Sequence, residues 1–285
     1  MTDNSVWQEI LLPPGNDDSA WEVFHENSKL GKCEHSLKIG RYGHALANQE
    51  IRAEVSTFHE SLPFEGYPCV ALPTSLTPLN LPLAEAITTR VSSPNMAPCP
   101  LALENVATLL HYAYGVTRDN KETGFPRSLR TVPSGGALYP LEIFFHSAHI
   151  KGLQAGLYHY DPVRRNIQVL RHADETARIG EAMAQPNVNV PRGAALIVFI
   201  TAVFERTIFK YGDRGYRFVL LEAGHVAQNL NLVSNAMGLG SLNIGGFFDR
   251  EIDEFLGLDG VTHSTIYMVA IGKPAARPSA RPDKA

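Results

Sequence analysis

The segment FKYGDRGYRF, residues 209 to 218, gathers Lys210, Tyr211, Asp213, Arg214, Tyr216 and Arg217 just ahead of a strongly apolar helical pattern. A lysine next to a tyrosine is a candidate proton-transfer pair, because nearby cations lower a phenol's pKa toward the range where it can take a proton. The other reading is a solvated helix start in which Asp213 bridges one arginine. Cations at a helix N-terminus repel one another and the helix dipole, so they need an anion or carboxylate partners there. A second stretch, PSGGALYP at 133 to 140, sets Pro133, Ser134, Gly135 and Gly136 together. Two glycines let the backbone approach a flat ligand without Cβ atoms in the way, and the serine adds a hydroxyl and a turn amide. The same residues also make a plain tight turn. The stretch is neither a GxGxxG fingerprint nor a Walker loop, so the usual phosphate-cradle mechanics do not apply to it.

Anion chemistry points elsewhere in the chain. Arg90 and Ser92 in TTRVSS, and Lys273 in IGKP, supply a guanidinium fork, a hydroxyl and a point charge suited to a phosphate. Gly245 and Gly246 in NIGG offer bare amides to a ring nitrogen. Singly, each of these reads as surface before it reads as a site. His225, Gln228 and Asn229 interrupt the apolar register of the long helical segment, and polar groups there need partners in the core or at an interface. The 11 histidines show no HxH or HExxH spacing and there is no GxSxG elbow, so metal and serine-hydrolase chemistry are not expected.

The elements that must position these residues follow from periodicity. Leu101, Leu103, Val106, Leu109, Leu110 and Ala113 fall at helical spacing, with Gly115 placed to end the helix. LEIFFHSAHI predicts a strand, and AGLYHYDPVRRNIQVLRH predicts two more around an Asp-Pro turn. AALIVFITAVF, residues 194 to 204, reads as a strand buried on both faces. Phe218, Leu221, Val226, Leu230, Val233 and Met237 then mark a core helix of about five turns, ended by Gly238 or Gly240. REIDEFLGL is a short amphipathic helix and STIYMVAIGKP a last strand. Without strict βαβ alternation the order favours α+β over a doubly wound sheet. Residues 1–80, broken by proline, glycine and asparagine, predict an irregular N-terminal extension and candidate substrate-binding cap. Residues 81–275 hold the main domain, and the composition of 276–285 predicts a disordered tail.

A net charge of −4, with 44% hydrophobic and 19% charged residues, gives no electrostatic reason to expect nucleic acid or an anionic membrane as partner. The N-terminus has no basic region followed by an apolar run, and no apolar stretch approaches the ~20 residues of a membrane span, so a cytoplasmic protein is expected. Cys33, Cys69 and Cys99 form no CxxC pair and support neither a disulfide framework nor a zinc site.

Taken together, RTVPSGGALYPLEIF, GLYHYDP and KYGDRGYRFVLLEAGHVAQNLNLVSNAMGLG resemble the SagB/ThcOx-type dehydrogenases of the nitroreductase superfamily, over about residues 85 to 274. These are flavin enzymes that oxidise azolines to azoles in modified peptides. The resemblance implies an α+β fold, an antiparallel or mixed sheet flanked by helices, and a homodimer with FMN at the subunit interface. Arg90 and Ser92 resemble the start of an Arg-x-Ser-x-basic phosphate motif whose second basic group is here Pro94. Lys273, Arg130, Arg214 and Arg217 are the cations that would then serve the phosphate. Pro133, Ser134 and Gly135 would lie against the isoalloxazine, and Gly245 and Gly246 would present amides near its reactive nitrogen. Lys210 and Tyr211 match the pair that azoline-oxidising members use as catalytic base. The implied chemistry removes the acidic α-proton of a thiazoline or oxazoline while flavin N5 accepts hydride from the adjacent carbon, and dioxygen reoxidises the flavin. The substrate would be a peptide, a carrier-bound heterocycle or another small molecule, with a cyclodehydratase as working partner. The alternatives are an NAD(P)H-dependent nitroreductase and a flavin-binding scaffold of a biosynthetic complex.

Overall fold

In the computed structural model of the protein, residues 20–120, 122 and 127–275 are described. The expected disordered tail and residues 1–19 of the extension lie outside them. An eight-stranded antiparallel sheet forms the centre. Its strands are β1 (Cys69–Ala71), β2 (Met96–Ala97), β5 (Leu141–Ser147), β6 (Gly156–Asp161), β7 (Asn166–Arg171), β8 (Leu196–Val203), β9 (Gly240–Ile244) and β10 (His263–Pro274), while β3 (Val116–Asp119) and β4 (Ser128–Arg130) make a separate hairpin. The order is β1-β7-β6-β5-β8-β10-β2, with β9 also paired to β10.

Strand alternation divides the core into two layers. Ile143, Phe145, Val198, Ile200, Val269 and Ile271 face helices α5 (Leu103–Tyr114) and α9 (Asp213–Ala236). Phe144, Ile197, Phe199, Met268 and Ala270 face the opposite layer, which includes α6 (Thr176–Glu181), α7 (Val190–Gly193) and α10 (Asp249–Leu256). That is why the 194–204 run is apolar throughout: both faces of β8 are covered. The Asp-Pro turn joins β6 to β7, with Asp161 Oδ1 accepting from the Val163 and Arg164 amides at 2.9 Å each.

Gly115 does end α5, but its φ of −70° is ordinary. Its reason is space, since a Cβ there would sit 2.5 Å from the His111 carbonyl oxygen. The long helix ends at Ala236, and Gly238, at φ +69°, makes the left-handed exit. The remaining described helices are α1 (Ala20–Asn27), α2 (Lys32–Ala47), α3 (Gln49–Thr57), α4 (Leu83–Thr89) and α8 (Glu205–Tyr211). The first three correct the expectation of an irregular extension. Asn48, which reads as a breaker, caps α3 by accepting the Glu50 amide at 2.8 Å, and Pro63, Pro68 and Pro73 fall after the helices rather than within them. Among the described residues no helix is long and apolar enough to cross a membrane.

Candidate active site

The loop after β4 is strained and tightly held. Gly136, Ala137 and Tyr139 all have positive φ, at +67°, +53° and +47°, and non-glycine residues adopt that backbone only when their surroundings enforce it. Three contacts do so here. The Tyr139 amide donates to Ser134 Oγ at 2.9 Å, closing the loop across its base. Tyr139 Oη accepts the Arg130 amide at 2.9 Å. Arg127, a residue the sequence reading passed over, donates to the carbonyls of Gly136 and Ala137.

Over this loop lies the end of α8. A Cβ built on Gly136 would fall 2.8 Å from Tyr211 Oη and 2.9 Å from Lys210 Nζ, so the phenol and the ammonium converge on one bare residue. A Cβ on Gly135 would meet Phe218 of α9 at 3.2 Å, and the Tyr211 and Phe218 rings pack edge to face at 4.9 Å. Gly212, at φ +57°, breaks α8 from α9, so Lys210 and Tyr211 end a short helix of their own rather than opening the long one. Lys210 Nζ also sits 5.1 Å from the ring of Tyr42 on α2, which brings the N-terminal helices to the site. The phenol of Tyr211 is held above its ordinary pKa by burial, against the opposing charge of Arg127; lowering by neighbouring cations does not prevail.

Several other expected residues have different partners. Arg214 donates to the Ser28 carbonyl at 3.1 Å, and Arg217 to Ser28 Oγ at 2.8 Å and the His25 carbonyl at 2.7 Å. These two cations are offset by backbone and hydroxyl oxygens of residues 25 and 28, and neither pairs with Asp213. Arg130 is 3% exposed, stacked 4.3 Å from the Tyr114 ring and 4.8 Å from that of Tyr139, and bonded to the His59 carbonyl at 2.8 Å. The Ser134 oxygen accepts the Tyr139 amide, which leaves backbone and glycines, with exposed Pro133, to meet a ring. His225 and Gln228 are exposed, and Asn229 donates to the Tyr112 carbonyl at 3.1 Å.

A second cluster forms at the far end of α9. Ser92 bridges to Ser241 on β9, and Arg90, Ser93, Asn235, Gly240 and Pro274 line a hollow of about 140 Å³. Lys273, next to Pro274, is exposed at the end of β10, and neither it nor Arg90 forms an ion pair among the described residues. Two available cations and a hydroxyl suit a phosphate. Gly245 and Gly246 follow β9 and are exposed, where a Cβ would meet only ordinary contacts, at 3.7 and 3.6 Å. Glu222, beneath the glycine loop, and Asn235, at the hollow, stand on one helix about 20 Å apart at 1.5 Å per residue.

A strained, side-chain-free edge at one end and a cation-hydroxyl cluster at the other have the donor chemistry of a phosphorylated flat cofactor. The nitroreductase family profile matches residues 87–273, and the chain belongs to that family. Proteins of the family bind FMN, and FMN is the cofactor of this chain. Its fold, a central antiparallel sheet between helical layers, is likewise nitroreductase-like. The chain is 41% identical over 157 residues to MJ1384 of Methanocaldococcus jannaschii, named as a nitroreductase, covering 55% of this chain and 75% of that one. It is 30% identical over 147 residues to the microcin B17-processing protein McbC of Escherichia coli, covering 50% of this chain but only 54% of McbC. A chain in the structure of the E. coli microcin synthetase McbBCD complex with truncated pro-MccB17 shares the fold at TM-score 0.56 and 22% identity, covering 87% of this chain and 99% of that one.

Of the residues the sequence reading missed, Glu222 had a signal: an acid in phase with Val219, Ala223 and Val226 on a core-facing helix stripe. Tyr42 had none, being placed by the packing of α2 on α8.

Proposed function

We propose that the protein is an FMN-dependent dehydrogenase that oxidises a thiazoline or oxazoline of a peptide natural product to the azole. The observation that carries this reading is the convergence of Tyr211 Oη and Lys210 Nζ on Gly136, at 2.8 and 2.9 Å from its virtual Cβ. A tyrosine oxygen that can act as a base in its phenolate form, with a cation beside it and above a bare edge that a flat ring can approach, is what α-proton removal next to a flavin requires. The likeness to McbC, named for processing microcin B17, supports a peptide substrate and a cyclodehydratase partner.

In this reading the Lys210 ammonium stabilises the phenolate form of Tyr211, which takes the α-proton and is left as the neutral phenol. Arg127 grips the Gly136 and Ala137 carbonyls, so the edge beneath the pair cannot relax. Tyr42 of α2 lays its ring beside the ammonium, which remains half-buried. FMN, when bound, supplies the two-electron acceptor that completes the dehydrogenation. Arg90, Ser92 and Lys273 hold its phosphate, and Gly135, Gly136, Gly245 and Gly246 lie against its ring. As the family resemblance implies, each flavin would sit at the interface between two copies of the chain. Leu220 and Leu221, 40% and 60% exposed at the loop end of α9, supply an apolar face for that dimer.

The test is anaerobic bleaching of FMN absorbance on adding an azoline-bearing peptide. Lys210→Ala and Tyr211→Phe are expected to keep FMN and to lose bleaching by about 10²- to 10⁴-fold. Full rates in both variants would reject the proton-transfer role. The 41% identity to MJ1384 favours a second reading, an NAD(P)H-dependent nitroreductase, which bleaching by NAD(P)H and not by azolines would establish instead.

A further inference from the structure

Helix α8 carries Lys210 and Tyr211 but has only seven residues, and Gly212 parts it from α9. A helix that short does not hold itself together in water, so its place is set by what it packs against. Its inner anchor is Arg206, one turn before Lys210 and 7% exposed. The guanidinium donates through Nη1 to Glu142 Oε1 on β5 at 2.7 Å and to the Tyr139 carbonyl at 3.4 Å. Glu142 is itself fixed. Its Oε2 accepts the Ser61 hydroxyl at 2.8 Å and bonds His159 Nε2 at 2.7 Å, and Oε1 also takes the Leu62 amide at 3.1 Å. Tyr139 is the last strained residue of the glycine loop. With Arg127 on the carbonyls of Gly136 and Ala137, an arginine therefore holds the carbonyl of each loop residue that has positive φ.

We infer that Arg206 is a positioning residue for the Lys-Tyr pair: its guanidinium, seated on Glu142, fastens α8 to the Tyr139 carbonyl, so that the helix bearing the pair keeps its spacing from the glycine loop beneath. The inference rests on the proposed proton transfer by that pair. The spacing at stake is the 2.8 and 2.9 Å that separate Tyr211 Oη and Lys210 Nζ from a Cβ built on Gly136. Other contacts set α8 from different sides. A Cβ on Gly215 of α9 would fall 3.0 Å from the Thr207 carbonyl oxygen, so the two helices touch closely there. On the outer face, Phe209 meets the rings of Tyr42 and Phe58 at 5.7 and 6.1 Å. Neither contact reaches the loop, and Arg206 adds the bond that does. A lysine at 206 would bring Glu142 the same charge. It is one atom shorter and lacks the planar fork, so it would settle on the carboxylate and give up the longer bond to the Tyr139 carbonyl.

The experiment compares the FMN-loaded wild type with Arg206→Lys, with Arg206→Met combined with Glu142→Gln, and with His159→Phe. It reads Tm, amide hydrogen exchange by segment, and the rate and half-saturation of anaerobic flavin bleaching by a synthetic thiazoline-bearing peptide. In Arg206→Lys the bleaching rate at saturating peptide is expected to fall about 10- to 100-fold with half-saturation unchanged, because the pair is displaced while the peptide's other contacts stay. Exchange should quicken in residues 134–139 and 205–211 together. The double variant leaves no buried charge unpaired and should show the same two effects, so the outcome does not hang on one protein folding. His159→Phe is the control. It keeps a ring beside Phe64 and Phe144, removes a donor from the same carboxylate and touches neither α8 nor the loop, so Tm should fall and the saturated rate should hold. A full rate in Arg206→Lys, faster exchange in only one of the two segments, or a His159→Phe protein slowed as much would overturn the inference. Lys210→Ala and Tyr211→Phe in the same assay keep the two readings apart. Full rates in both would overturn the pair's role and this inference with it, whereas slow rates there beside a full rate in Arg206→Lys would overturn this inference alone.

Discussion

Replacing Gly136 with alanine separates what the loop does for stability from what it does for the Lys-Tyr pair. Gly136 has φ +67°, and an alanine in the left-handed region costs about 1–2 kcal/mol, partly offset by the stiffer unfolded chain. The net loss of about 1 kcal/mol lowers Tm by roughly 2–4 °C in a domain of this size. Gly152 is the matched control: its φ is +82° and a Cβ there meets nothing within 4 Å. Gly152→Ala should therefore show the same thermal loss and no other effect. At Gly136 the new methyl would lie 2.8 Å from Tyr211 Oη and 2.9 Å from Lys210 Nζ. Non-bonded atoms rest at about 3.5–4.0 Å, so both flexible ends must move by roughly 1 Å. A misplacement of that size costs on the order of 100-fold in rate. Thermal melts, FMN retention and azoline-dependent flavin bleaching should thus give similar Tm losses in the two variants, with the rate falling only in Gly136→Ala. A Gly136→Ala protein at full rate, or a Gly152→Ala protein equally slowed, would refute the assignment of the pair to this loop.

Two further outcomes follow from the charges. Glu142 is buried and bonded to Arg206 and His159 at 2.7 Å each, to Ser61 at 2.8 Å and to the Leu62 amide at 3.1 Å. Burial pushes its carboxyl up, but the Arg206 charge and the His159 bond together outweigh that and hold it well below the usual range. A depressed carboxyl pKa contributes stability above the unfolded value of about 4.5 that is lost as pH falls toward the folded value. Glu142→Gln should accordingly cost about 3–5 kcal/mol in urea unfolding at pH 7 and less at pH 3, whereas an equal cost at both would contradict the ion pairing. Arg90→Ala and Lys273→Ala should each weaken FMN about tenfold, more in low salt, while Arg217→Ala should leave FMN bound and speed proteolysis near Ser28. Loss of FMN in Arg217→Ala would return that residue to the phosphate site.

Legibility in the sequence tracked the range of the interaction involved. The strand at 194–204, the helix from 103 and the Asp161 turn could be read because alternation, helical spacing and side-chain-to-amide bonds act within a few residues. The extension was misread because prolines beside a helix look like prolines that forbid one, and α8 was missed because a seven-residue helix ending in Lys-Tyr carries too little apolar pattern to show. Among the site residues, the motifs were visible but their partners were not. Arg214 and Arg217 looked available until Ser28 and His25, nearly two hundred positions away, satisfied them.

By itself the sequence determined the glycines at 135 and 136, the adjacent lysine and tyrosine, and the cations at 90 and 273, since residue type and local spacing carry that chemistry. Only the tertiary structure decided that Lys210 and Tyr211 stand over Gly136, that Glu222 turns inward to Tyr114, and that the loop and the Arg90 hollow occupy opposite ends of α9. Those are contacts between segments far apart in the chain. They are selected by how two core layers close on a sheet, and no local pattern records them.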